Sequence, residues 1–168
     1  LFESGVLSQS GLDDPLRVDA ASLQALTPEI LAKEFQVSQS NQLLGLEDRA
    51  KLLNRLGDTL LKQKLIFEAE GTFRPGNLFD YLTRSQVTGV LEARDILIAV
   101  LHGMGEIWPD GSWIDNVAIG DAGYHEVVKR SDITDGIVPF HKLSQWMSYS
   151  LIEPLQEAGF KVNNLDAL

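Results

Sequence analysis

Apolar residues return at helical spacing along most of the chain. The clearest stretch runs from Leu43 to Leu61, where the leucines and an alanine recur every three or four positions. Glu47 and Lys51 form an i,i+4 pair on the polar side of the same stretch. A leucine stripe of this kind needs no role beyond burial, so the pattern predicts a scaffold helix.

Start and stop signals place the other helices. Thr27, Pro28 and Glu29 combine a capping hydroxyl, a proline at the first helical position and an acid at the positive end of the dipole, which predicts a helix to about Phe35. Further helices are predicted over residues 21–26, residues 78–82 with Asn77 as their cap, residues 88 or 89 to 102, and residues 138–158.

Residues 107–119 break the helical pattern. Asp110 and Gly111 are a favoured turn pair between short apolar runs, so a hairpin is predicted there. Residues 126–135 read as an exposed connection and residues 160–162 as a short strand. The predicted fold class is mainly α: a single helical domain over residues 1–168, with about five or six helices and one small β-hairpin.

Composition narrows the classes of function. The formal charge of −10 argues against broad binding to nucleic acid or to an anionic membrane. Cysteine is absent, which excludes disulfides, thiolate zinc sites and a cysteine nucleophile. No apolar run approaches the ~20 residues of a membrane span, and the first residues do not resemble a signal peptide. We therefore expect a soluble, cytoplasmic protein.

The last predicted helix carries two distinct arcs. We expect one arc to be buried; it holds Phe140, Leu143, Met147 and Leu151, with Trp146 nearby. The neighbouring arc holds His141, Gln145 and Ser148, with Lys142 and Tyr149 beside them. These hydrogen-bonding side chains line a polar cavity or lie on a solvated edge, and the spacing leaves both interpretations open.

A second cluster of aromatic and polar residues lies in the glycine-containing segment after residue 107. Its members are Trp108, Trp113, Asp115, Asn116, Asp121, Tyr124 and His125. The cluster presents ligand contacts from a loop or fills a small satellite core. Asp121 and His125 have the i,i+4 spacing of a helical metal pair, but Gly123 between them weakens the helix, and we predict no metal site.

Several motifs along the chain resemble the uracil-catabolism protein 4 family. The longest is the run from Val138 to Trp146, continued from Tyr149 to Leu155. Supporting matches are Leu-Phe-Glu-Ser-Gly at residues 1–5, Asp-Pro-Leu-Arg-Val-Asp at 14–19, Gly-Leu-Glu-Asp-Arg at 45–49, Arg-Pro-Gly-Asn-Leu-Phe-Asp-Tyr-Leu at 74–82 and Ile-Trp-Pro at 107–109. The resemblance implies that residues 1–168 are the middle-to-C-terminal part of a longer family member.

The resemblance also implies a role in salvaging nitrogen from uracil through a ring-opened uridine nucleotide. A fainter similarity joins Phe-His-Lys-x-Ser-Gln at residues 140–145 to the queuosine-salvage N-glycosidases, which are helical and cleave a nucleotide's glycosidic bond. In those enzymes an acidic residue about one helix downstream completes the site. Its counterpart is expected beyond Leu168, so no catalytic residue is assigned within this chain.

The two resemblances together give the hypothesis of a hydrolase that cleaves an N-ribosidic bond and releases urea, or a ureido compound, and ribose phosphate. Lys142 would contact phosphate or ribose hydroxyls, His141 and Gln145 the ureido or ribose groups, and Arg74 a second anionic group. The remaining predicted substrate-binding residues are Tyr149, Trp108 and Asp121. No cofactor is implied.

Two alternatives remain open. One is a noncatalytic helical partner or regulatory subunit of a uracil-degradation enzyme, with the polar helix face and the tryptophans as an interface. The other is an amidohydrolase that acts on the ureido group, which would favour a metal. The chain offers only three histidines, without ligand spacing.

Overall fold

The computed structural model describes residues 1–84, 88–109 and 111–168. This part of the chain forms two compact units, Leu1–Asn77 and Leu78–Leu168. The α-helices are α1 (Ala20–Gln24), α2 (Pro28–Glu34), α3 (Leu46–Lys62), α4 (Lys64–Phe67), α5 (Asn77–Thr83), α6 (Ala93–Met104) and α7 (Lys142–Glu157). The strands are β1 (Glu68–Ala69), β2 (Thr72–Phe73), β3 (Val90–Glu92), β4 (Trp113–Ile114), β5 (Val117–Ala118), β6 (Gly123–Tyr124), β7 (Ile137–Val138) and β8 (Lys161–Asn163).

The first unit is built on α3, against which α1 and α2 pack. The predicted start of α2 is confirmed, because the Thr27 hydroxyl accepts a hydrogen bond from Ile30 N at 3.3 Å. Helix α3 begins at Leu46, three residues later than the apolar pattern indicates, after Gly45 in the left-handed conformation. Gly57 lets α1 approach closely, since a Cβ there would lie 2.7 Å from Ala20 O.

A short β1–β2 hairpin lies near the end of the first unit. Asn77 does not cap α5 with its side chain as predicted. Its amide is buried and donates to Phe67 O at 2.7 Å and to Thr72 O at 3.2 Å. The hairpin carbonyls gain hydrogen-bond donors in this way, which explains why an amide side chain is buried here.

The second unit has a core made mainly of α6 and α7, which pack on each other. The helix predicted from residue 88 or 89 begins only at Ala93, because Val90–Glu92 form β3 and pair in parallel with β8. A β-branched residue and a distant partner strand override the local helical pattern there. The ring of Phe79 on α5 meets Phe160, just before β8, edge-on at 5.7 Å between centroids.

The predicted hairpin is present, but its turn differs. Strands β4 and β5 pair around Asp115 and Asn116, whose φ angles of 46° and 64° are the positive values that these two residue types tolerate. The predicted turn at Asp110 and Gly111 includes Asp110, which lies outside the described residues. A further pair, β6–β7, flanks residues 125–136, so the predicted connection at 126–135 is confirmed and is largely exposed.

Helix α7 begins at Lys142, four residues later than predicted, and reverses part of the expected pattern of burial. Its buried residues are Ser144, Ser148, Ile152 and Leu155. The predicted buried stripe is wrong at three positions, which are exposed: Phe140 (63%), Leu143 (51%) and Trp146 (73%). Met147 and Leu151 are half-buried. Because the serines face the core, the aromatic side chains lie on the outer face of the helix.

The mainly helical fold class is confirmed. The prediction of one hairpin undercounts the strands, because the described residues form four two-stranded pairs in addition to seven α-helices. Among the same residues, none of the helices combines the length and apolar character needed to span a bilayer.

Candidate functional site

The predicted substrate-binding residues divide between the two units. Arg74 lies in the first unit, whereas the others lie in the second. Three of them lie at the start of α7, namely His141, Lys142 and Gln145, and Asp121 contacts this part of the helix. Tyr149 lies about two turns further along α7, and Trp108 follows α6.

Asp121 caps α7 from outside the helix. Its Oδ2 accepts hydrogen bonds from Leu143 N at 2.6 Å and from Ser144 N at 3.4 Å. Its Oδ1 accepts from the Ser144 hydroxyl at 2.5 Å. A carboxylate at the amino end of a helix satisfies free amides and interacts favourably with the helix dipole. The loop between β5 and β6 is therefore tied to the first turn of α7.

His141 is the residue immediately before α7 and adopts the left-handed conformation, with φ 45° and ψ 27°. Its backbone is bound on both sides: its N–H donates to Asp121 O at 3.0 Å, and its carbonyl accepts from Gln145 N at 2.8 Å. A non-glycine residue in this region is strained by about 1–3 kcal/mol and persists where its surroundings hold it. The strain lies where the predicted site residues meet.

The His141 ring lies against the carboxylate that caps α7. Its Nδ1 is 3.8 Å from Asp121 Oδ1, with exposed fractions of 21% and 12% for the two side chains. This Nδ1 is buried and has no hydrogen-bond partner among the residues that the structure describes. The inner nitrogen of the ring is thus shielded from solvent beside the Asp121 carboxylate.

The remaining α7 residues differ in their surroundings. Lys142 is exposed at the first position of the helix, and Gln145 is half-buried one turn further on. Tyr149 is exposed, and its hydroxyl reaches Leu165 O at the long distance of 3.5 Å. Lys142 is thus an exposed cation that follows His141 directly in the sequence.

The second predicted cluster is only partly drawn together. Half-buried Trp108 precedes the β4–β5 hairpin, and its carbonyl accepts from Gly111 N at 3.2 Å. Trp113 and Tyr124 are exposed, at 54% and 70%, so these two residues do not fill a satellite core. Of this cluster, Asp121 contacts α7, whereas the rings of Trp113 and Tyr124 lie at the surface.

The helical spacing proposed for Asp121 and His125 does not occur. Gly123 and Tyr124 form β6, and His125 Nδ1 accepts a hydrogen bond from Val127 N at 3.2 Å within its own loop. Across residues 1–84, 88–109 and 111–168, no three carboxylate or imidazole side chains are grouped closely enough to hold a metal ion. The third histidine of the chain, His102, is exposed on α6.

Arg74 lies between β2 and α5 and is half-buried. Its backbone N–H donates to Phe67 O at 3.2 Å, and its Nε is buried without a partner in the described part of the chain. A role for Arg74 as an anion contact stays a prediction.

Two features of the site escape sequence reasoning. The first feature is a pair of buried serines on α7, Ser144 and Ser148. The Ser144 hydroxyl donates to Asp121, and the Ser148 hydroxyl donates to Ser144 O at 2.8 Å. The second feature is an exposed aromatic surface, formed by Phe140, Leu143, Trp146 and Tyr149. Contiguous apolar surface of this kind marks an interaction site more often than singly scattered residues do.

The fold and the site define a mainly helical protein whose candidate site lies at the beginning of its last long helix. The chain belongs to the family described as "Protein of unknown function (DUF1688)", which it matches over residues 1–168. This membership confirms the family resemblance noted from the motifs.

Two curated relatives carry descriptive names. The chain is 39% identical over 170 aligned positions to "Uracil catabolism protein 4" of Lachancea kluyveri, covering 96% of this chain and 38% of the relative. It is 38% identical over 159 positions to "Protein urg3" of Schizosaccharomyces pombe, covering 92% of this chain and 35% of that protein. The chain thus spans little more than a third of each relative's length. No solved structure matches it significantly.

Proposed function

We propose that this chain is part of a protein of uracil catabolism that binds a ring-opened uridine nucleotide and hydrolyses its N-ribosidic bond. The products are urea, or a ureido compound, and ribose phosphate. The pathway is supported by the relative named "Uracil catabolism protein 4". The observation that supports the site is that His141, Lys142 and Gln145 lie at the start of α7, where the Asp121 carboxylate caps the helix and lies 3.8 Å from the His141 ring.

Lys142 is the proposed contact for the phosphate or the ribose hydroxyls. The amino end of a helix attracts anions through its free amides and its dipole. In α7 the amides of Leu143 and Ser144 are already engaged by Asp121. The neighbouring ammonium group of Lys142 therefore supplies the positive charge that a phosphorylated ligand needs.

The proposed reaction adds water to C1′ of the ribose and breaks the bond from C1′ to nitrogen. The bonding electrons go to the leaving nitrogen, which also takes a proton. The transition state resembles an oxocarbenium ion, and a carboxylate stabilises it or directs the water. Asp121 is poorly placed for this task because both its oxygens accept hydrogen bonds from α7. We assign the reacting carboxylate to sequence beyond Leu168 in a longer protein.

The test is isothermal titration of ribosylurea 5′-phosphate, uridine monophosphate and ribose 5-phosphate into the wild-type chain and Lys142→Ala. A hydrogen bond to a charged group contributes about 1.5–3 kcal/mol, so Lys142→Ala should weaken binding at least about tenfold. The matched control is Lys161→Ala, an exposed lysine in β8 beyond the other end of α7. Urea release is followed in parallel with the full-length Lachancea kluyveri relative.

Saturable binding of ribosylurea 5′-phosphate that is lost in Lys142→Ala and kept in Lys161→Ala supports the proposal. If both variants bind the ligand equally well, Lys142 does not contact it. Absence of binding by the folded chain and by the full-length relative would overturn the nucleotide-binding function itself.

The alternative function is a noncatalytic partner of a uracil-degradation enzyme, and the exposed aromatic surface favours it. Trp146 is 73% exposed at the middle of that surface, and tryptophan is enriched among residues that dominate binding energy at interfaces. This alternative predicts saturable binding of a purified enzyme of the same pathway, lost in Trp146→Ser, with no binding of any of the three nucleotide-derived ligands.

A further inference from the structure

The Asp121 carboxylate lies beside one nitrogen of the His141 ring. Oδ1 lies 3.8 Å from Nδ1, and the Asp121 side chain is only 12% exposed. The carboxylate is held in place by the Leu143 amide and the Ser144 hydroxyl. The His141 backbone is held too, because its N–H donates to Asp121 O at 3.0 Å. The carboxylate and the backbone of His141 are therefore both anchored at the start of α7.

The surroundings of Nδ1 leave little room for another partner. Gly120 lies beside it with φ +72°, and a Cβ at Gly120 would come within 3.8 Å of Nδ1 and 3.2 Å of Leu101 Cδ2. Nδ1 is buried and has no hydrogen-bond partner among the described residues. The negative charge nearest to it in the structure is that of Asp121.

Electrostatics selects one tautomer of a neutral imidazole in this setting. A lone pair on Nδ1 would face a carboxylate at 3.8 Å and be repelled, whereas an N–H there directs its positive end towards the charge. A histidine whose inner nitrogen is protonated by such an arrangement carries its lone pair on Nε2. A carboxylate that orients a histidine in this way is a recurrent device in catalytic and binding sites.

We propose that Asp121 is a positioning residue, which fixes the Nδ1–H tautomer of His141 so that Nε2 accepts a hydrogen bond from the ligand. The proposal rests on the function proposed above and sharpens it. A neutral nitrogen with an outward lone pair binds a donor and repels an anion. The ligand group assigned to His141 is therefore the N–H of the ureido moiety, and the phosphate belongs to Lys142.

The first experiment needs no ligand. Long-range ¹H–¹⁵N spectra of the ¹⁵N-labelled 168-residue chain, recorded at about pH 9 where imidazoles are neutral, distinguish the two tautomers. His141→Gln assigns the signals of His141, and His102 and His125 serve as internal references. Wild type should show His141 as the Nδ1–H tautomer. Asp121→Asn should shift it towards the Nε2–H form while the signals of His102 stay in place.

A second variant keeps the proposal testable if Asp121→Asn does not fold. Ser144→Ala removes the hydroxyl that donates to Oδ1 and leaves the carboxylate intact. His141 should remain Nδ1–H in this variant. The proposal is overturned if wild-type His141 is the Nε2–H tautomer, if Asp121→Asn folds and leaves the tautomer unchanged, or if Ser144→Ala reverses it.

The second experiment compares two ligands that differ by the ureido group. The net contribution of one hydrogen bond corresponds to about a fivefold change in affinity. Asp121→Asn should weaken the binding of ribosylurea 5′-phosphate by about that factor and change the affinity for ribose 5-phosphate by less than about twofold. Equal weakening of both ligands overturns the assignment of the ureido group to His141. If neither ligand binds the wild-type protein, the proposed function is wrong. The tautomer measurement still tests whether Asp121 positions the His141 ring.

Discussion

Removing the Asp121 side chain should destabilise the second unit. Asp121→Ala deletes the only side-chain cap found for α7 within the described residues. Loss of a helix cap costs about 0.5–2 kcal/mol, and a buried hydroxyl left without a partner costs about 1–3 kcal/mol. The hydroxyl in question is that of Ser144, which is 1% exposed. We expect a total loss of about 2–4 kcal/mol in the free energy of unfolding.

Urea unfolding followed by tryptophan fluorescence measures this loss selectively. All three tryptophans of the chain lie in the second unit, so the signal reports that unit. Asp121→Asn keeps a side-chain acceptor and should lose less stability than Asp121→Ala. The control is Glu126→Ala at an exposed position between β6 and β7, where a change within about 0.5 kcal/mol is expected. A loss for Asp121→Ala no larger than for this control would refute the capping role.

Three further predictions concern other parts of the chain. Gly57→Ala should lower the stability of the first unit in circular-dichroism melts despite alanine's better helix propensity, because its Cβ would lie 2.7 Å from Ala20 O. Asn54→Ala should cost about 1–3 kcal/mol in the same melts, since the Asn54 amide donates to three carbonyls at and just after the end of α1, at 2.8, 3.2 and 3.0 Å. Hydrogen bonds from the Thr134 hydroxyl and amide lower the pKa of Asp132, so Thr134→Val should raise that pKa in an NMR titration of the carboxyl carbon. The stabilisation from the ionised Asp132 is present above the ordinary aspartate pKa and is lost as the pH falls through the lowered one.

Local signals predicted the helices whose caps lie next to them in sequence. Thr27 caps α2 three residues ahead of the amide that it bonds, so the start of α2 was readable. The cap of α7 is Asp121, more than twenty residues before the amides that it accepts from. No local pattern indicates such a cap, and the predicted start of α7 was therefore four residues early.

The faces of α7 show a second limit of sequence reasoning. Apolar periodicity assumes that the largest apolar side chains face the core. Here Ser144 and Ser148 face inward with their hydroxyls satisfied by Asp121 and by a helix carbonyl, while Trp146 faces outward. Burying a serine costs little free energy when its hydroxyl is hydrogen-bonded. Whether it finds a hydrogen-bond partner depends on tertiary neighbours, which the local sequence pattern does not reveal.

Strand pairing was the least predictable part of the fold. β3 pairs in parallel with β8, about seventy residues later in the chain, and a helical pattern covers β3 in the sequence. The β4–β5 turn uses Asp115 and Asn116, a pair as well suited to positive φ as the pair containing Gly111 that composition favoured. Helical spacing placed His141 and Gln145 on one arc, and the resemblance supplied the roles proposed for them, whereas Ser144 as the partner of Asp121 required the three-dimensional structure.

The most direct test of the central claim is to map where the nucleotide-derived ligand binds. Two-dimensional ¹H–¹⁵N spectra of the labelled chain are recorded while ribosylurea 5′-phosphate is titrated, with ribose 5-phosphate as the comparison. Our account predicts saturable shifts of the Asp121 amide and the amides of residues 141–145, with the ureido ligand affecting His141 more than ribose 5-phosphate does. No shifts, or shifts confined to other parts of the chain, would contradict a substrate site at the start of α7.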